Sequence, residues 1–172
     1  MNKLYNIDKN LRKVEYALAL LSGIITIVLM LVVTLDVLLR NFFNKAFPGS
    51  YELVVLLFLG IVFLAIPFVQ SLKEHINIDI VTSSLPKFVQ RTLDILALLL
   101  SLAITVIIAW QTGIEFWKSY ISNDYTMGIV EYPIWPAKLS IAIGMGVLTL
   151  RLLIDFLLSI LDKSYFEDTN KS

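Results

Sequence analysis

Three stretches of the sequence run for about twenty residues without a charged side chain, and they restrict what the chain can fold into. They are residues 16–35, 53–72 and 95–114. A helix of twenty residues is about 30 Å long, which matches the hydrocarbon core of a bilayer. A fourth stretch, residues 134–160, stays apolar between three charged residues. The pattern predicts four membrane spans, and it argues against the alternative of a water-soluble bundle whose helices are buried in its core.

The fold class that follows is an all-α integral membrane protein with four transmembrane helices and short amphipathic helices on the membrane surface. Hydrophobic residues make up 58% of the chain, which is high for a soluble domain. We expect one membrane domain covering residues 1–172. The predicted spans are residues 16–39, 52–72, 93–117 and 134–160.

Two segments are predicted to lie on the membrane surface without crossing it. In residues 1–15, apolar side chains recur at intervals of three and four, which is typical of an amphipathic helix leading into the first span. Residues 73–91 form a strip whose longest charge-free stretch, residues 80–86, is too short to cross. We expect this strip to form one or two short surface helices.

The distribution of lysine and arginine predicts the orientation. With four spans, the amino terminus, the middle loop and the carboxyl tail share one side, and they carry ten of the 14 Lys and Arg residues. Positive residues are enriched in cytoplasmic segments, so both termini are predicted to be cytoplasmic. The loops at residues 41–51 and 119–135 would then face outward.

Several classes of chemistry find no support in the composition. The formal net charge is zero, so nothing favours a nucleic-acid partner. The chain has no cysteine and a single histidine, His75, which argues against a zinc site or a haem with paired axial ligands. We predict no catalytic residues, no metal and no cofactor. Because the charged residues lie near the ends of the spans, the sequence also indicates no ion or substrate path within this chain.

Eight residues are candidate contacts for a partner protein, a docking protein or phospholipid. They are Asp36, Arg40, Glu52, Gly60, His75, Asp79, Gly144 and Gly146. The spacing of Asp36 and Arg40 places both charges on one helix face, in the order that favours an ion pair. Simple anchoring of the helix end by a snorkelling arginine explains that pair equally well. Glu52 opens the second span.

The glycines among these candidates indicate close helix packing. Gly144 follows Ser140 by four residues, and Gly146 follows Ala142 by four, which is the small-residue spacing of membrane helix contacts. We expect this face, or the face of the second span that bears Gly60, to pack against a helix of a partner. Ordinary small-residue content of a membrane helix is the alternative.

Taken in order, three motifs resemble those of a known family. They are Asp36-x-x-x-Arg40, then Tyr51-Glu52 followed by Phe58-Leu59-Gly60, then His75-Ile-Asn-Ile-Asp79. This order resembles the small membrane subunit of tripartite ATP-independent periplasmic (TRAP) transporters over nearly the whole chain. The span opened by glutamate and followed by H-I-x-I-D is the more specific part. Some members have tryptophan where this chain has Tyr51.

The resemblance implies a function and partners that composition does not supply. Such subunits pair with a large membrane subunit that carries sodium and substrate in the bacterial inner membrane. A soluble periplasmic binding protein delivers organic anions, such as C4-dicarboxylates, sialic acid or other sugar acids. The small subunit would then be a scaffold and part of the docking surface. An unrelated tetraspan assembly or structural protein is the alternative, and a membrane-embedded enzyme or redox subunit is a third.

Overall fold

Four long α-helices make up most of the computed structural model, which describes residues 2–72 and 87–161. They are α1 (Asn2–Phe43), α2 (Ser50–Ser71), α3 (Lys87–Ser122) and α4 (Trp135–Leu161). Each is long and apolar enough to cross a membrane. The predicted all-α class with four membrane helices is therefore confirmed. Where the bilayer begins and ends along each helix stays a prediction.

The helices lie side by side in an order that differs from their order in the chain. Helix α1 packs along α2, α2 packs along α4, and α4 packs along α3, while α1 meets α4 over a short stretch. Helices α2 and α4 are therefore central. They run in the same direction, because Gly60 lies near Ser140 at one level and Gln70 bonds to Asp155 further along.

The packed core lies on α4, and the outer faces of the bundle are apolar. Met145, Leu148 and Leu152 are buried against residues of α2 and α3. On the outer helices, by contrast, Ile27 of α1 and Ile107 of α3 are more than half exposed. Large apolar side chains cover these faces, which is unfavourable in water and favourable against lipid. The distribution of polarity thus agrees with membrane insertion.

The closest approach between the central helices occurs at Gly144 of α4. A Cβ at this position would collide with the backbone carbonyl of Phe63 on α2. Gly60 of α2 is also buried, and a Cβ there would lie 3.6 Å from Ile25 of α1 and 3.7 Å from Ser140 of α4. The helix contacts that the sequence assigned to a partner at these two glycines are therefore made within the chain itself.

The structure describes nearly all of one predicted surface segment and only the end of the other. Helix α1 runs without a break from Asn2, so residues 2–15 are continuous with the first predicted span, and their place on the membrane surface stays a prediction. At 42 residues α1 is about 63 Å long, roughly twice the hydrocarbon thickness. In the strip 73–91, residues 73–86 lie outside the described residues, and residues 87–91 are the first turns of α3.

Replacement of Gly144 by alanine tests the close approach of α2 and α4. Gly144→Ala forces a methyl group against a backbone carbonyl that has no room to move, and overpacking of this kind costs about 1–3 kcal/mol. Gly23→Ala is the control, because no described atom lies within 4 Å of its Cβ position. The control should be neutral or should raise stability by about 0.5–1 kcal/mol through helix propensity. Thermal unfolding in detergent measures both, and equal melting temperatures would contradict the packing.

Candidate partner-binding surfaces and a buried ionic cluster

The end of the bundle that holds the α1–α2 and α3–α4 loops is called the outer end, after the predicted orientation. Here Asp36 fastens α1 to the turn that follows it. One of its carboxylate oxygens accepts a hydrogen bond from the backbone N–H of Phe47 at 2.8 Å. The other oxygen pairs with Arg40 at 2.8 Å. The Arg40 side chain is 60% exposed, whereas that of Asp36 is 14% exposed. Asp36 therefore has a structural role, and Arg40 presents its charge at the surface.

The loop between α3 and α4, residues 123–134, forms a hairpin-like structure over the same end. The backbone N–H of Thr126 donates to the carbonyl of Tyr132 at 2.9 Å, and that of Ile134 donates to the carbonyl of Asp124 at 3.0 Å. These bonds hold the two arms of the loop together. They also place Met127 and Ile129 near the tip, where both side chains are almost fully exposed.

The loop rests on the start of α2 through two glycines. Gly49 has φ of 76°, in the left-handed region, and a Cβ there would lie 2.7 Å from Cβ of Val130. Gly128 lies directly against the carboxylate of Glu52, which is half-buried beneath it. Glu52 therefore contacts the loop, so it does not project freely toward a docking protein. Tyr51, its neighbour, is 77% exposed.

The sequence-predicted contact residues thus separate into distinct places. Asp36, Arg40 and Glu52 all lie at the outer end of the first hairpin. Gly60 and Gly144 lie inside the chain, between helices. Gly146 is half-buried, and no described atom lies within 4 Å of its Cβ position, so its face can accept another helix. His75 and Asp79 lie outside the described residues.

A cluster of charged side chains is buried toward the opposite end of the bundle, called the inner end after the same prediction. Arg151 of α4 is 1% exposed. Its guanidinium pairs with both carboxylate oxygens of Asp155, at 3.1 and 3.2 Å. The same guanidinium donates to Asp8 of α1 at 2.7 Å. Arg151 therefore joins the amino-terminal part of α1 to the carboxyl-terminal half of α4.

Two further polar side chains complete this cluster. Glu15 of α1 is fully buried, and its Oε2 lies 3.9 Å from Nη1 of Arg151. Neither of its oxygens accepts a hydrogen bond within the described part of the chain. Gln70, at the end of α2, donates a hydrogen bond to Asp155 at 3.4 Å. Its own Oε1 accepts no hydrogen bond from the described residues. The cluster thus spans three helices.

Sequence reasoning missed this cluster. It treated Arg151 and Asp155 as interruptions of an apolar span, and Asp8 and Glu15 as charges of a surface helix. A usable signal was present, because an arginine and an aspartate four residues apart in an apolar helix face the same side. Their partners on α1 were not readable, since sequence spacing says nothing about which helix lies opposite.

Removal of the Arg151 charge should destabilise the chain strongly. Arg151→Met leaves Asp8 and Asp155 without their buried guanidinium, and loss of one partner from a buried pair costs about 3–5 kcal/mol. Arg12→Met is the matched control, because Arg12 pairs with the same Asp8 at 3.3 Å but is 57% exposed, a pair worth at most about 1 kcal/mol. Thermal unfolding of both variants measures the difference. A melting temperature of Arg151→Met equal to that of the control would refute the cluster.

Comparison with known proteins matches most of the chain to a family model. Residues 29–162 match the family model described as "Tripartite ATP-independent periplasmic transporters, DctQ component". No curated protein matches the chain. The matched range covers α2, α3 and α4 completely but begins within α1, so Asp8 and Glu15 precede it.

Proposed function

The chain belongs to the DctQ component family of tripartite ATP-independent periplasmic transporters, and on this premise we propose that it is the scaffold of a sodium-coupled transporter for organic acids. Membership makes the chain the small membrane subunit of a TRAP transporter, and it removes the alternative of an unrelated tetraspan protein. A large membrane subunit and a binding protein are then its partners. We propose C4-dicarboxylates, sialic acid or similar sugar acids as the substrate class.

The close, apolar packing between the central helices is the observation that supports the scaffold role. In the middle of α4, Gly144 is pressed against the backbone of Phe63 on α2, and the apolar side chains of Met145, Leu148 and Leu152 are packed against residues of α2 and α3. A transport path needs polar groups through the middle of the membrane. Here the buried charges are confined to the inner end of the described helices. This supports a fixed support beside a partner that moves the substrate.

The outer end supports a second role, as part of the docking surface for the binding protein. Arg40 supplies an exposed charge, and Tyr51, Met127 and Ile129 supply exposed apolar surface at the same end of the bundle. Aromatic and arginine residues are enriched in protein interfaces, and exposed charges there mainly set the rate of encounter. In this arrangement both termini are cytoplasmic and this end faces the periplasm of a bacterial inner membrane.

The face of α4 around Gly146 is the proposed contact with the large subunit. Gly146 and Ala142 lie one turn apart, and both are partly exposed. Small residues allow two helix backbones to approach closely in lipid, where association depends on packing rather than on the hydrophobic effect. The two glycines already used inside the chain, Gly60 and Gly144, do not take part in this contact.

Gly146→Leu should abolish co-purification of the large subunit without unfolding this chain. The Cβ of the new side chain has open space in the single chain, and the leucine would occupy the space of an approaching helix. The control is Gly113→Leu, the same change at an equally open position on α3. Affinity purification through a tag on this chain, with a thermal unfolding measurement on each variant, separates assembly from folding. Full recovery of the large subunit with Gly146→Leu would count against this face.

Arg40→Gln should weaken the use of the binding protein by removing an exposed charge, and Glu52→Gln should do so by loosening the loop that rests on Glu52. Both variants should leave sodium coupling unchanged. Exposed ion pairs are worth about 0.2–1 kcal/mol, so we expect uptake at limiting binding protein to fall roughly 1.5- to 5-fold. Saturating binding protein should restore most of it. Uptake in proteoliposomes is measured first against binding-protein concentration and then against sodium. An altered sodium cooperativity in either variant would overturn the scaffold proposal.

A further inference from the structure

A basic face lies on the amino-terminal part of α1, just before the first charge-free run. Lys9, Arg12 and Lys13 all have exposed side chains. Their spacing of three and four residues places them on one side of the helix. Among the described residues, Arg12 pairs with Asp8, whereas the two lysines make no ion pair. Both lysine charges are therefore open to whatever surrounds the helix.

The acidic residues of the same segment do not cancel this charge at the surface. Asp8 pairs with Nη1 of Arg151 at 2.7 Å. Glu15 is fully buried, and its Oε2 lies 3.9 Å from the same atom of Arg151. The inner cluster therefore turns both acids of residues 7–16 toward α4 and leaves the bases outside. An exposed surface with net positive charge attracts an anionic partner.

The same side of α1 continues toward the middle of the bundle as an apolar face. Tyr16, one turn after the bases, is 55% exposed, and tyrosine is enriched at the level of the lipid headgroups. Beyond it come three apolar side chains that are more than half exposed, Leu20, Ile24 and Ile27. Gly23 lies among them, and no described atom lies within 4 Å of its Cβ position, so the face has a shallow notch there.

We propose that this side of α1 binds an anionic phospholipid of the leaflet at the inner end, with its phosphate beside Lys9 and Lys13 and one acyl chain along residues 20–27. Residues 16–27 rise by about 16 Å, which is about half the hydrocarbon thickness and therefore the depth of one leaflet. A phospholipid matches both the bases and the apolar face, whereas an acidic protein segment in water would match only the bases. The site does not depend on the proposed transport function.

Photocrosslinking in nanodiscs tests the proposal. The full chain is placed in phosphatidylcholine nanodiscs that contain a small amount of a phospholipid with a photoactivatable acyl chain. The headgroup of this probe is phosphatidylglycerol in one arm and phosphatidylcholine in the other. Each lysine beside an anionic headgroup contributes a factor of roughly 5, so the phosphatidylglycerol probe should label residues 16–27 up to about 25 times more. Raising sodium chloride from about 0.05 to about 0.5 M should reduce this preference, because salt screens exposed charges.

Two double variants locate the site. Lys9→Gln with Lys13→Gln removes both lysines of the basic face and should lose most of the preference. Lys45→Gln with Lys118→Gln makes the same change at two exposed lysines of the outer end and should keep it. Equal labelling of the unmodified chain by both probes would leave this face to an acidic segment of a partner protein and would overturn the proposal. A preference that survives the loss of Lys9 and Lys13, or that maps to α3 instead of α1, would overturn it as well.

Discussion

The contact between α2 and α4 at Gly144 is the constraint on which the rest of the structure depends. Lipid is as apolar as leucine, so helices in a membrane gain little from hiding apolar surface from one another. They associate where small residues let the backbones approach, and Gly144 against the backbone of Phe63 is such a place. Helix α1 then packs on α2, and α3 packs on α4, so each outer helix has a central helix to rest on.

Polar groups secure the two ends of this assembly in different ways. At the outer end, Asp36 and Glu52 hold loops in place through a backbone N–H and a glycine contact, and their neighbours remain exposed. At the inner end, Arg151 holds Asp8 of α1 and Asp155 of its own helix in a buried network, and Gln70 of α2 joins it through Asp155. Residues at the outer end are exposed, whereas the charged residues at the inner end join helices to one another. This division agrees with a subunit that docks one protein and supports another.

Much of the fold could be predicted because it depends on properties that are local in sequence. Charge-free runs of bilayer length fix the number of helices, and the spacing of Asp36 and Arg40 correctly placed them as an ion pair. The failures concern contacts between distant segments. Residues 1–15 carry the pattern of a surface helix, yet Asp8 and Glu15 face Arg151, more than 130 residues away in the chain. Gly144 was read correctly as a close contact, but sequence did not say that α2 would supply the partner.

The parallel course of α2 and α4 has an electrostatic consequence. Neighbouring helices that run in the same direction place their macrodipoles side by side, which is repulsive, and hydrocarbon screens that repulsion poorly. Helix α2 has a compensating charge at its start. Glu52 lies in its first turn, where the dipole is positive. The residue that holds the loop over this end of the bundle therefore also offsets the field of the central helix there.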